Sequence, residues 1–331
     1  MSLRRRAAAA LGLALAAGSA GATDFARAAI GTAGSEFLLM DTTAKGMAMG
    51  SAMTAVTDDS SSIYWNPAGL SKVPRLSTTF MHSQYVADIT YEAVSYAQRI
   101  NDSSVLGAGV RYLDGGTIAQ TDLQGTQNGS FHPRSYVGEV GWGQSIYDLS
   151  DSEMDVAMGI TGKAIRTDLG LASASGFATD IGIQARFFTT ALAYDVAFAV
   201  QNVGTGQKFD QVRDNMPTRI RLGAAVKPMR TLTLSLEGVA PINDAPYIAA
   251  GAEYAIEVER GITGFARAGV NTFTYESLGT SSMLSLGMGL KLNDLTFDYA
   301  FVPMGVLGTA THRLSLSFNL PAKISRRYRE R

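Results

Sequence analysis

The chain has 331 residues and a formal net charge of −1; 46% of its residues are hydrophobic, 17% are charged, and cysteine is absent. So balanced a charge leaves no electrostatic footprint for nucleic acid. Without cysteine there is no lipoprotein anchor, disulfide framework or thiolate metal site.

Residues 1–22 read as a cleaved secretory signal peptide. Arg4, Arg5 and Arg6 form a basic start, Ala7 to Ala17 an apolar run too short to span a membrane, and Ala20-Gly21-Ala22 a small-residue cleavage site. The run after the arginines is plain Ala and Leu, so the general secretory route fits better than the twin-arginine one. No later run of eighteen or more apolar residues is present, so no transmembrane helix is available.

Residues 23–74 form a segment apart. Ala44, Met47, Ala48, Ala52, Ala55 and Val56 recur at short helical spacings among glycines. A turn-rich stretch follows, containing Asp58, Asp59, Ser60, Ser61, Ser62, Tyr64, Trp65, Asn66, Pro67, Ala68, Gly69 and Leu70. Pro67 fixes its own φ and biases Asn66 to an extended conformation, while Gly69 permits a backbone reversal. Asp58 and Asp59 beside three serines offer hard oxygen ligands for a cation; a turn closed by side-chain-to-backbone hydrogen bonds is the simpler reading.

From residue 75 to 320 the period changes to two. In 311–320, Leu314, Leu316, Phe318 and Leu320 share one face while Arg313, Ser315, Ser317 and Asn319 share the other; residues 230–237 repeat the pattern. Fourteen candidate strands follow one another at 75–82, 90–99, 103–112, 134–145, 153–166, 175–188, 191–202, 217–227, 230–239, 247–256, 262–271, 282–292, 294–303 and 311–320. Their lengths suit tilted strands crossing a bilayer, and the even number suits a bacterial single-chain barrel. No linker or charge block divides the chain. The fold class expected is therefore all-β: one transmembrane antiparallel β-barrel in the outer membrane, embedded in its lipids and inserted by its assembly machinery.

Asn293-Asp294 is a tight-turn pair, whereas 113–133, 203–216 and 272–281 are long polar connections. With short turns on the periplasmic side, and the N-terminal segment starting there, the long loops fall outside. The strand faces opposite the apolar ones carry Asp195, Arg219, Arg221, Glu237, Glu253, Arg267, Lys291, Asp298 and Arg313. A charge facing lipid at mid-membrane costs about 2–4 kcal/mol, so these side chains are assigned to the lumen. They constitute either a rigid network of paired charges or a selective polar pathway.

Catalysis finds little support. His82, His132 and His312 are far apart in sequence, and no nucleophile elbow accompanies them. Gly107-Ala108-Gly109 and Gly287-Met288-Gly289 imitate phosphate loops but lie within strands, where glycine makes room or allows curvature. No cofactor and no metal is implied.

The run Ala44 to Ala52, followed by Asp58-Asp59-Ser60 and Tyr64-Trp65-Asn66-Pro67-Ala68-Gly69-Leu70, resembles the N-terminal region of the PorV/PorQ family of outer-membrane proteins. It is also similar to the hatch of the FadL family of long-chain fatty-acid channels. The likeness continues through Val200 to Gly204, Met216 to Gly223, Gly251 to Tyr254, Arg267 to Gly269, Asp298 to Gly305 and Thr311 to Leu316. The resemblance implies a fourteen-stranded barrel with residues 23–74 as a hatch or permanent plug in its lumen. It implies a function in type IX secretion, holding the C-terminal signal domains of secreted cargo. Alternatives are FadL-like passive transport of long-chain fatty acids or other hydrophobic compounds and, with no nucleophile to assign, lipopolysaccharide deacylation. The chain departs from the pattern in a basic tail, 321–331, which follows Phe318, whereas many such barrels end on an aromatic residue. It is also short for a FadL-type transporter.

Overall fold

The computed structural model describes residues 25, 30–85, 88–147, 154–189, 192–211 and 213–322. The expected signal peptide and most of the basic tail lie outside the described residues. No described helix is long and apolar enough to cross a membrane.

Alternation dictates strands, and strands account for most of the chain. In order they are β1 (Leu76–Gln84), β2 (Thr90–Arg99), β3 (Ser104–Asp114), β4 (Ile118–Thr121), β5 (Gln127–Phe131), β6 (Arg134–Tyr147), β7 (Met154–Asp168) and β8 (Ser173–Phe188). Then come β9 (Ala193–Thr205), β10 (Arg219–Met229), β11 (Leu232–Pro241), β12 (Tyr247–Glu259), β13 (Ile262–Asn271), β14 (Leu284–Leu292), β15 (Leu295–Pro303) and β16 (Ala310–Leu320). All but β4 and β5 close into one antiparallel barrel of fourteen strands, in which β1 pairs with β16 from Leu76↔Leu320 to Gln84↔His312. Closure leaves no unpaired edge in the bilayer, where an unsatisfied backbone group has no water to turn to. β4 and β5 form a separate hairpin within the long connection between β3 and β6. The sequence reading treats that stretch as a loop, because its residues are polar and share no face with the barrel.

The period-two pattern sorts the side chains. On β11, Leu234 and Leu236 point outward and are exposed on the wall, while Thr233, Ser235 and Glu237 are buried in the lumen. Leu222, Met288 and Leu314 likewise stand on the lipid face. The connections Arg230-Thr231, Arg260-Gly261 and Asn293-Asp294 are two residues each and share one end; Asn293 takes φ 55° to close its turn. The connections after β3, β9 and β13 are long and share the other end, which is therefore the outer face.

Residues 36–73 fill the lumen. Short helical pieces at Glu36–Leu39, Ala44–Ala48, Ser62–Trp65 and Pro67–Lys72 are linked by turns. The direction of entry differs from the expectation of a periplasmic start. Phe25 N donates to Ile242 O (2.7 Å), Asn243 Nδ2 to Thr32 Oγ1 (3.0 Å) and Gly34 N to Asn215 O (2.9 Å), so the segment begins among the outer connections. It then descends through the barrel and reaches the short-turn end at Val73, just before β1. The alternation of long and short connections survives, because it depends only on where β1 starts.

Candidate functional site

The plug is built from its own turns and tied to the wall on several sides. Asn66 is extended (φ −160°, ψ 109°), as a residue before proline should be, and its Oδ1 caps the helix Pro67–Lys72 by accepting from Ala68 N at 3.1 Å. Its Nδ2 donates to Thr54 O (3.1 Å) within the plug and to Ile183 O (3.2 Å) on β8. Gly69 does not reverse the chain; it lies inside that helix, and a methyl group there would sit 2.6 Å from Thr57 O. Close approach, not a left-handed turn, requires glycine at this position. Ala68 and Leu70 are fully buried, Leu70 packing with Ile63, Val73, Ala97 and Val105.

Tyr64 and Trp65 sit at the centre, edge to face at 4.7 Å. The guanidinium groups of Arg111 (5.2 Å) and Arg219 (5.6 Å) both lie over the Tyr64 ring, and Arg221 lies over Trp65 (5.2 Å). Burial raises the Tyr64 phenol well above its ordinary pKa, so it stays protonated. Its hydroxyl oxygen accepts from Arg219 Nη2 (3.0 Å) and lies 2.9 Å from Leu39 O and 3.2 Å from Asp41 Oδ1. Asp58 is exposed and Asp59 partly buried; Asp59 Oδ1 accepts from Ser61 N (2.8 Å) and Ser61 Oγ (2.5 Å), closing the turn with its own side chain. Burial pushes the Asp59 carboxyl up, against the pull of Lys45. Burial alone would depress Lys45, but Glu253 and Asp58 outweigh it and hold the ammonium charged.

Of the charges assigned to the lumen from sequence, most meet partners. Arg221 pairs with Glu237, whose other oxygen accepts from Thr54 N (2.9 Å) of the plug, while Arg221 Nη2 donates to Ser51 O (2.7 Å). Arg267 bridges Glu253 (2.6 Å) and Asp298 (2.7 Å). Asp195 takes Arg186 (2.9 Å) and Lys72 (3.2 Å) from the plug. Lys291 differs: it shares the inward parity of Ser285, yet it stands beside the Asn293-Asp294 turn, is exposed, and makes no ion pair among the described residues. Arg219 and Arg313 are buried without a carboxylate partner among the described residues.

A second network is absent from the sequence reading. Arg111 pairs with Glu139 (2.7 Å) and donates to Leu38 O (3.1 Å), and Lys163 pairs with Asp180 (2.6 Å) and reaches Asn202 Oδ1 (2.7 Å). Gln184 and Gln201 donate to plug carbonyls, at Ala55 and at Tyr64 and Trp65. The strands β3, β6, β7 and β8 that carry most of these residues also place Gly107, Gly109, Gly141, Gly143, Gly159, Gly176 and Gly182 at buried inward positions. The signal was the glycine itself: methyl groups on Gly143, Gly159 and Gly182 would collide with Leu70, Pro67 and Asn66, so the small residues mark where plug meets wall.

Above the plug, a cavity of about 850 Å³ is bounded by the outer connections and the upper ends of β10 to β16. Leu39, Met40, Met47, Leu284, Val302 and Met304 give it apolar walls, and Arg219 and Arg313 belong to its lining. The histidines take no part in it: His82 lies against Glu92 and His312 against Tyr299 on outward faces, and His132 is exposed in the long β3–β6 connection.

A family model described as type IX secretion system protein PorV matches residues 23–232, which span the plug and the wall as far as the start of β11. The chain belongs to the PorV family. No curated protein matches it in sequence. Among solved structures it is similar to the Ralstonia pickettii toluene transporter TbuX, at 13% identity and a TM-score of 0.55, with 86% of this chain and 100% of that one covered. It is also similar to the monoaromatic hydrocarbon channel CymD (10% identity, TM-score 0.52, coverage 85% and 98%) and to a Pseudomonas aeruginosa FadL homologue (10%, 0.50, 84% and 98%). At such identities the likeness speaks for the fold. PorV membership and this fold make the protein an integral outer-membrane β-barrel.

Proposed function

We propose that this barrel is a receptor in type IX secretion that holds the C-terminal signal domain of a secreted protein at its outer mouth. The observation that carries this reading is the plug. Its backbone is tied to the wall through Ser315 on β16, Thr161 on β7, Gln184 on β8, Gln201 on β9 and Glu237 on β11. Such a lumen is a floor and not a path, and the cavity above it faces outward, where a secreted domain arrives. PorV membership supports this partner class. A photo-crosslinking residue in place of Phe273, which lines the cavity and is partly exposed, should capture secreted proteins through their C-terminal domains in the native membrane. Capture of none of them removes the reading.

A second reading, passive transport of apolar compounds, is favoured by the apolar cavity walls. It requires the intact barrel to admit an apolar dye into proteoliposomes faster than protein-free vesicles do, and deletion of residues 42–70 to raise that uptake. The receptor reading expects no uptake until the plug is removed.

A further inference from the structure

The lumen wall treats its arginines in two ways. Arg111, Arg221 and Arg267 each face a carboxylate, as buried guanidinium groups normally must. Arg219 and Arg313 are 5% and 3% exposed, and neither has a carboxylate within ion-pair distance among the described residues. Arg219 donates to Gln201 Oε1 (2.7 Å) and to the Tyr64 hydroxyl (3.0 Å); Arg313 donates to Asp41 O (3.3 Å) and to the Tyr85 hydroxyl. On the same face of β16, Arg313 Nε and Thr311 Oγ1 are buried with no hydrogen-bond partner. All three of these residues line the outer cavity. Arg111 Nε and Arg221 Nη1 are buried without a partner as well, but those guanidinium groups already hold a carboxylate; Arg219 and Arg313 hold none among the described residues, and a guanidinium lining a cavity without one is where an anionic ligand completes the bonding.

The surroundings define that ligand. Asp41 also lines the cavity, its Oδ2 accepting from Ser51 Oγ at 2.5 Å, and Glu36, Asp244 and Glu276 line it as well. Four acids against two arginines disfavour a polyanion, so the ligand is one that brings a single small anionic group to Arg219 and Arg313, and a planar guanidinium suits a carboxylate. The walls are apolar, while Glu36 and Asp244 line the same cavity and repel a segment carrying many acids. An apolar segment with one negative charge at its tip satisfies every condition. We infer that the cavity floor receives the C-terminal carboxylate of the docked polypeptide, held by Arg219 and Arg313. This rests on the receptor reading above.

The test uses the full chain purified in mild detergent and a short fluorescent apolar peptide, once with a free C-terminal carboxylate and once as its amide. The acid should bind at least about tenfold tighter than the amide. R219Q and R313Q should each erase that preference, bringing the acid down to the affinity of the amide, while R313K, which keeps the charge, retains part of it. Folding of every variant is checked by the heat-dependent gel mobility of the closed barrel. Equal binding of acid and amide by the wild type, or an undiminished preference in folded R219Q and R313Q, overturns the assignment. So does binding of decanoate, with both arginines required, when the peptide acid does not bind. If the acid preference is absent while Phe273 still cross-links to secreted domains, the carboxylate site fails and the receptor stands. If the cross-link is absent, the receptor reading fails first and takes the chain-end assignment with it.

Discussion

Replacing Asn66 tests whether the plug is a fixed part of the barrel. Asn66→Ala removes the helix cap on Ala68 N, worth about 1 kcal/mol, and the two donations to Thr54 O and Ile183 O, each worth about 1 kcal/mol net where both groups are buried. A loss of about 2–4 kcal/mol multiplies the population of locally opened plug by roughly 30 to 1,000. Because the chain has no cysteine, a single Ser71→Cys probe reports opening cleanly. Ser71 is buried, and its hydroxyl donates only to Ala68 O (2.8 Å). Thiol labelling in proteoliposomes should accelerate by that factor. Asn66→Asp is the sharper variant, since it keeps the capping oxygen but turns an oxygen towards two carbonyl groups. It should label at least as fast as Asn66→Ala. A parental labelling rate in Asn66→Asp would refute the claim that these donations hold the plug.

Gly182→Ala drives a methyl group into Asn66 and should cost about 1–3 kcal/mol by overpacking, read with the same probe; Gly162→Ala, whose methyl meets nothing within 4 Å, should label at the parental rate. Glu139→Ala leaves Arg111 and Lys163 short of a buried counter-charge and should lower barrel stability by about 3–5 kcal/mol, measured as the denaturant midpoint of the heat-modifiable gel band. Asp59 supplies a pH dependence. Its folded pKa is raised by burial, so its contribution is complete below the unfolded value of about 3.9 and is lost as pH rises through the folded value. Asp59→Asn, which keeps an oxygen for Ser61, should make the plug more stable at neutral pH and flatten that part of the profile; an unchanged profile would remove Asp59 as its source.

The barrel was legible because its two faces meet different solvents. A charge facing lipid is expensive, so Arg221, Glu237, Arg267 and Asp298 announced the inward face of the later strands on their own. The plug was legible as a non-strand segment for a similar reason: Asn66-Pro67 and the crowded glycines suit neither a ladder nor a long helix. Pairing was less legible, since whether Arg219 finds a carboxylate depends on the register of strands distant in sequence and on where the plug descends. Arg111, Glu139, Lys163 and Asp180 were missed because the inward faces of their strands also carry Val105, Val137, Ile165, Ala178 and several glycines, which mutes the contrast between faces. Nor does periodicity say at which end the plug enters the barrel. Backbone bonds to Ile242 and Asn215 settle that, and they belong to connections without a repeating pattern.

The positions of the inward glycines constrain what a ligand at the outer mouth can do. Gly143, Gly159 and Gly182 press on residues 66–71 from β6, β7 and β8, while Gly251, Gly269 and Gly287 press on residues 48–50 from β12, β13 and β14. The plug is therefore wedged between distant parts of the wall, and opening a path demands release at both. A ligand held as inferred above would meet Arg219 and Arg313 at the upper ends of β10 and β16, whose present partners in the plug are the Tyr64 hydroxyl and Asp41 O. Its binding energy stabilises the arrangement already present, because both arginines gain a counter-charge and lose nothing. Ligand binding should then slow labelling at Ser71→Cys. A channel whose ligand unseats its own hatch should show the opposite sign.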